Sequence, residues 1–341
     1  MLKPELKVIW EDLTGPVDAF MTRVTGFLTQ RSVAYDEKIQ EHVNSALKTR
    51  GKGLRAALYG WQSIALDGRL DQKAIKAASI VELVHLATLV HDDVIDVASI
   101  RRNRPTLRSQ YDNHVAVLSG DCLFADALEL AAEYSTTFVC REVAKASKAV
   151  CSGEIIQSDK RFDLSLSKED YLGILGMKTG ELFRLSCLLA CHLAEASDEV
   201  TENSCRFGML LGTAYQVFDD CVDYYSEESA EGKSLGTDFA SGKITLPLIL
   251  ANEFSIARSG KILTSAAGRK VDREDFESRK DHLLEIANEQ NCREECLIFI
   301  QDLLDQAKRA LWAAVGPDRS EHLATFVDFF ARQVDGLRVD A

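Results

Sequence analysis

The stretch from Val81 to Thr106, VELVHLATLVHDDVIDVASIRRNRPT, constrains this chain more than any other. It opens as a helix apolar on nearly every face, which fits a buried central position better than a surface one. It ends in Asp92, Asp93 and Asp96. At i and i+4, Asp92 and Asp96 share a helix face, and two such carboxylates in an apolar wall repel unless a cation lies between them. Hard oxygen ligands, few in number, suit Mg²⁺, which keeps several waters and takes its other ligands from substrate phosphates. Arg101 and Arg102 follow a short turn, and guanidinium matches diphosphate oxygens. Standing alone, this acidic run reads as a solvated helix end. It does not stand alone. Tyr215 to Asp223, YQVFDDCVD, repeats the spacing with Asp219, Asp220 and Asp223 on another mostly apolar helix.

The composition, 46% hydrophobic and 27% charged, is ordinary for a globular chain with a sizeable core. Prolines at 4, 16, 105, 247 and 317 interrupt no long apolar-periodic segment, so an all-α chain is expected. No Gly/Ser/Pro-rich linker divides it, and residues 1–341 read as a single large helical bundle. Residues 1–31 read as a peripheral N-terminal helix broken at Gly15-Pro16. A net charge of −13 argues against nucleic acid as a partner. The opening MLKPELKVIWEDL is too charged for a signal peptide. No transmembrane segment is expected, the longest candidate being the broken run Leu182–Ala194. The nine cysteines are odd in number and contain no CxxC pair, which fits free thiols in a reducing cytoplasm. Cys292 and Cys296 share a helix face, read as a coincidental pair and not as a soft-metal site.

Further candidates lie along the chain. Arg50 to Arg55, RGKGLR, is a glycine-punctuated basic turn opening a helix, and Lys52 with Arg55 there reads equally as an anion site or a charged loop. His85 lies two turns before Asp92 on roughly the same face, positioned to share that anion or to be an ordinary core histidine. His91 reads as supporting at most. Gly120 and Asp121 inside an apolar helix indicate close packing. Glu154 and Gln157 form an i, i+3 polar pair, either near a metal or in an interhelical hydrogen bond. Lys178, Thr179 and Gly180 interrupt another apolar helix, where a lysine either snorkels or meets an anion. Gln216 precedes the second cluster, and a loop-like stretch beyond it carries Lys233 and Lys243, placed to close over phosphates. From Ala251 onward the chain reads as scaffold, including the amphipathic LATFVDFFARQV.

In combination these residues resemble the trans-prenyltransferases, the all-trans isoprenyl diphosphate synthases. GKxxR, then H-x5-HDDxxD-x4-RR, GD, KT, Q-x2-DDxxD and GKxT run in that family's order from about Lys48 to the end. The resemblance implies an all-α bundle around a deep central cavity, a homodimer, and two substrates, isopentenyl diphosphate and an allylic diphosphate. It implies three Mg²⁺ ions, held directly by Asp92, Asp96 and Asp219 with Asp93, Asp220 and Asp223 supporting. Lys52, Arg55, His85 and Arg102 would hold isopentenyl diphosphate. Arg101, Lys178, Lys233 and Lys243 would clamp the allylic diphosphate, and Thr179 and Gln216 would line the reacting carbons. The sequence departs from the pattern at Gly53, Ala56, Val97 and Asn103-Arg104, none of which removes a proposed ligand.

If the allylic diphosphate is pinned at Asp92 and Asp96, its tail runs back along the preceding helix. Ala87 and Thr88, one turn below, and Val84, two turns below, leave that path open. The expected product is about C20 or longer, most readily about C30 to C45 at one isoprene unit per helical turn. Geranylgeranyl diphosphate synthesis is the nearest alternative. A terpene cyclase would carry a mixed second motif, and a regulatory subunit would be expected to have eroded aspartates.

Overall fold

The computed structural model describes residues 13–225, 237–259 and 273–338. After a 3₁₀ turn at Gly15–Val17, the helices are α1 (Asp18–Ser32), α2 (Glu37–Lys48), α3 (Leu54–Ala65) and α4 (Gln72–Ile95). A two-stranded hairpin, β1 (Ile100–Arg101) with β2 (Arg104–Pro105), leads to α5 (Leu107–Gln110), α6 (Asn113–Ala132) and α7 (Phe138–Asp159). Then follow α8 (Lys168–Leu175), a π-helical turn (Gly176–Gly180), α9 (Glu181–Leu193), α10 (Asp198–Tyr225) and α11 (Thr237–Ala240). The remainder is α12 (Leu246–Ser259), α13 (Arg273–Ala287), α14 (Gln290–Arg319) and α15 (Glu321–Asp335). The all-α expectation holds.

Asp71 starts α4 by accepting hydrogen bonds from the backbone N–H groups of Lys73 and Ala74. Ala77, Ala78, Ile80, Val81, Val84 and Ala87 are then fully buried, covering several faces of the helix, as its uniform apolarity requires. This helix corrects the expectation on membrane spans: α4, not Leu182–Ala194, is long and apolar enough to cross a bilayer. Yet 72% of its apolar window is buried within the protein, the signature of a core helix that passes the same test.

Two apolar clusters fill the interior. One joins α1–α4 to α6, α7 and α9, and the other gathers α10, α12, α14 and α15. The N-terminal helix is less peripheral than its sequence suggests, because Val17, Phe20, Val24 and Leu28 turn one face of that segment inward. Pro317 sits just past a break at Gly316 (φ 77°), so α14 is two helices meeting at a kink. The LATFVDFFARQV segment forms α15, where Phe326 packs on Trp61 and Phe330 on Tyr215 and Phe218 of α10. Cys292 and Cys296 are fully buried, with the Tyr225 hydroxyl 3.5 Å from the Cys296 sulfur. No group of three His, Cys, Asp or Glu side chains able to hold a metal unaided occurs among the described residues.

Candidate active site

The first aspartate cluster lies at the C-terminus of α4. Asp96 caps the helix, Val97 takes the left-handed conformation (φ 57°), and the backbone closes with Ala98 N–H donating to Asp93 O and Val97 N–H to Val94 O. Glycine is the usual residue there, so valine is strained. The three carboxylates then part company. Asp93 is turned inward, 4% exposed, and accepts from Arg101 Nε at 2.8 Å. Asp96 faces the cleft and is bracketed by Arg161 Nη2 at 3.2 Å and Lys243 Nζ at 3.3 Å. Asp92 has no hydrogen-bond or ion-pair partner among the described residues. Burial pushes its carboxyl up to about 6, with Lys178 opposing and Glu154 and Asp96 reinforcing the shift.

The second cluster lies inside α10, which runs on to Tyr225. Asp220 is buried and saturated: Tyr171 donates its hydroxyl at 2.6 Å and Gln216 its amide at 2.9 Å. Burial, with Asp238 nearby, raises its pKa. Asp223 accepts from the Asp238 backbone N–H at 3.1 Å. Exposed Asp219, like Asp92, has no partner among the described residues. It lines a cavity of about 110 Å³ with Gln157, Lys178, Gln216, Asp220, Asp238, Lys243 and Thr245.

Lys178 and Thr179 sit in the π turn, where Glu181 N–H bonds back to Gly176 O and the helix bulges by one residue. The turn is gripped on two sides. A Cβ at Gly153 of α7 would fall 2.9 Å from Lys178 N, and one at Gly212 of α10 2.8 Å from Gly180 Cα. Lys178 pairs with Glu154 and donates to Gln157 at 2.9 Å, while Thr179 donates to Gln216 Oε1 at 2.9 Å. The polar pair Glu154/Gln157 thus makes an interhelical contact to the lysine. Lys243 lies between the clusters, also 3.3 Å from Asp238. Those carboxylates raise its pKa against the burial that opposes them. Lys233 lies outside the described residues.

The predicted basic residues form a second locus beside the first. Arg55 is largely enclosed, its guanidinium 4.9 Å above the Phe183 ring and its Nε buried without a partner. Burial pushes it down to about 10, and Arg102 adds to the shift. Lys52 and Arg102 are lowered too, chiefly by burial and then by neighbouring cations. His85 falls well below its ordinary value through burial and the fields of Arg55, Arg102 and Arg101. Four basic side chains that depress one another's charge form a pocket suited to an anion. Arg102 is held by donating to Thr49 O at 2.8 Å. Buried Glu82 fixes the start of α3 by accepting from Ala56 N–H. His91 points away from the metal cluster, onto Val117 O and the Phe124 ring over Gly120, the close packing expected there. Ala87 and Val84 are fully buried and Thr88 half-buried along α4.

Sequence reasoning missed Tyr171, Tyr215, Asp238 and Arg161, none of which carries a motif signal of its own.

The polyprenyl synthetase family profile matches residues 36–284. The chain belongs to that family. A relative from Synechocystis sp. named prenyl transferase is 36% identical over 71% of this chain and 75% of its own length. An all-trans-nonaprenyl-diphosphate synthase (geranyl-diphosphate specific) from Rhodobacter capsulatus is 33% identical over 71% of this chain and 74% of its own. The solved polyprenyl synthase from Caulobacter crescentus, complexed with calcium and isoprenyl diphosphate, superposes with a TM-score of 0.80 at 31% identity. It covers 94% of this chain and 96% of its own. This synthetase is therefore a chain-elongating prenyltransferase, with homologues that make medium to long all-trans polyprenyl diphosphates.

Proposed function

We propose that this synthetase condenses isopentenyl diphosphate with an allylic diphosphate, with Mg²⁺ as cofactor, to an all-trans product of about C30 to C45 at one isoprene unit per helical turn. The observation that carries the reading is that Asp92 and Asp219, first in each cluster, are the carboxylates with no partner while the others are spoken for. Two unpaired carboxylates, one of them half-buried, fit a hard divalent cation that draws its other ligands from substrate phosphates. When bound, three such ions would neutralise charge gathering on the departing diphosphate.

The remaining chemistry belongs to side chains. Lys178, Lys243, Arg101 and, in the same proposal, Lys233 hold the allylic diphosphate. Lys52, Arg55, His85 and Arg102 hold isopentenyl diphosphate, with His85 neutral and able to donate one N–H. Thr179 and Gln216, already hydrogen-bonded to each other, present oxygen lone pairs to the allylic carbon as positive charge develops. Closure of the cleft excludes water that would quench the cation. The tail runs along α4 past Thr88, Ala87 and Val84 into a deep central channel.

Exposed apolar Val117, Leu118 and Leu128 on α6 support a homodimer. Free cysteines support a reducing cytoplasmic location, with peripheral membrane contact at product release. Purified protein given Mg²⁺, labelled isopentenyl diphosphate and a starter should yield extractable polyprenyl chains that can be sized. No product with geranyl, farnesyl or geranylgeranyl diphosphate would overturn the reading, and light scattering tests the dimer.

A further inference from the structure

Arg161 lies just beyond the end of α7, outside every motif the sequence offers. The next residue, Phe162, adopts φ 64°, and its N–H donates to Gly242 O at 2.7 Å. Its ring lies so close on Gly242 that no Cβ would fit there. This link fastens the exit of α7 to the loop that carries Lys243. Its consequence is geometric: Arg161 and Lys243 flank the Phe162–Gly242 junction and reach the two oxygens of one carboxylate, Asp96 Oδ1 and Oδ2. Arg161 uses one terminal nitrogen for this, while its Nε is buried with no partner. A guanidinium with a buried, unsatisfied donor has an interaction left to make, because such a group is costly to leave unpaired.

We propose that Arg161 is a further residue binding the allylic diphosphate, with its Nε and one terminal N–H directed to phosphate oxygens. The proposal rests on the functional reading above, in which that diphosphate sits against Asp92 and Asp96. A group 3.2 Å from Asp96 is within one ligand's reach of an anion held there. Arginine suits the task because its planar fork engages two oxygens at once, where Lys243 supplies a point charge. The Phe162–Gly242 link sets both cations together, so the clamp comes from α7 and the loop as one unit.

The test compares wild type with Arg161→Gln and Arg161→Lys. Titration calorimetry with inorganic diphosphate and Mg²⁺ should show binding about tenfold weaker in Arg161→Gln, the loss of one charge-assisted contact. KM for the starter should rise by a similar factor, KM for isopentenyl diphosphate should stay put, and Arg161→Lys should recover part of the loss. Unchanged diphosphate binding and starter KM would overturn the proposal. So would a variant whose sole change is tighter Mg²⁺ binding without diphosphate, since Arg161 would then be only a latch on Asp96. If wild type elongates no starter, the functional reading fails, and the diphosphate titration still decides Arg161. Should Arg161→Gln fold poorly, as judged by its melting midpoint, Arg161→Lys carries the same comparison.

Discussion

The two aspartate clusters share one spacing and are built differently. In each, the first carboxylate is free, the second is locked inward and the third is tied toward a loop. The lock on Asp93 is a cation, Arg101, whereas Asp220 is locked by two neutral donors, Tyr171 and Gln216. The first cluster occupies a helix terminus, where the backbone carbonyls already repel carboxylates. The second sits one turn and more inside α10, on backbone that cannot re-aim. Identical spacing therefore fixes which positions face the cleft, and the neighbours decide how much charge each can carry.

The sharpest break would come at the free positions. Asp92→Ala and Asp219→Ala should each lower kcat by about 10³-fold or more while the fold survives, because charge stabilisation of the ionising state is lost. Near-normal steady-state turnover in either would show that the two clusters are not equivalent at their first residue. The basic locus should respond separately. Lys52→Ala and Arg55→Ala should raise KM for isopentenyl diphosphate about tenfold or more, with starter KM little changed. A rise for the starter alone would reverse the assignment of the two anion sites.

At the locked positions the clusters should diverge. Asp93→Asn leaves Arg101 without its anion and should cost about 2 kcal/mol of stability in urea unfolding. Asp220→Asn should cost less, within about 1 kcal/mol, since burial already works against its charge and an amide can still bond both neighbours. Equal losses would mean the nature of the lock is irrelevant. Below the first cluster, Ala87→Phe should shorten the product to about C15 by closing the path one turn under the metal. Because Ala87 is fully buried, the larger ring should also destabilise by about 1–3 kcal/mol. Chromatography of extracted products reads the first effect and unfolding the second; unaltered product length would show that the tail takes another route. The smallest effect concerns the helix terminus. Val97→Gly should stabilise by about 1 kcal/mol by relieving the left-handed strain, with turnover held. Lost turnover would mean that the strain itself aims Asp96.

The motif residues were legible because their chemistry demands particular side chains at fixed helical spacings. Asp92, Asp219, Lys178 and Arg55 could be named for that reason, and α4 could be read as central from its uniform apolarity. That same apolarity hid its resemblance to a membrane span, since burial in protein and burial in lipid select the same residues. Tyr171 and Arg161 were invisible for a different reason. Their partners, Asp220 and Asp96, are remote in the chain, and a lone tyrosine or arginine in a polar stretch has no periodicity to betray it. The internal division of labour within each cluster was likewise unreadable, because it depends on which neighbours the tertiary fold delivers.

The wide turn at Gly176–Gly180 has a consequence for how this sequence can vary. Deleting one residue there would let α8 continue into α9 as regular α-helix, a locally more comfortable backbone. It would also rotate everything beyond by about 100° relative to what precedes it. Leu182, Leu185 and Leu189, now facing the core, would swing off it, and Lys178 would lose its seat between Glu154 and Gln157. The extra residue thus acts as a phase marker: substitutions around it are tolerable one at a time, but a change of length is not.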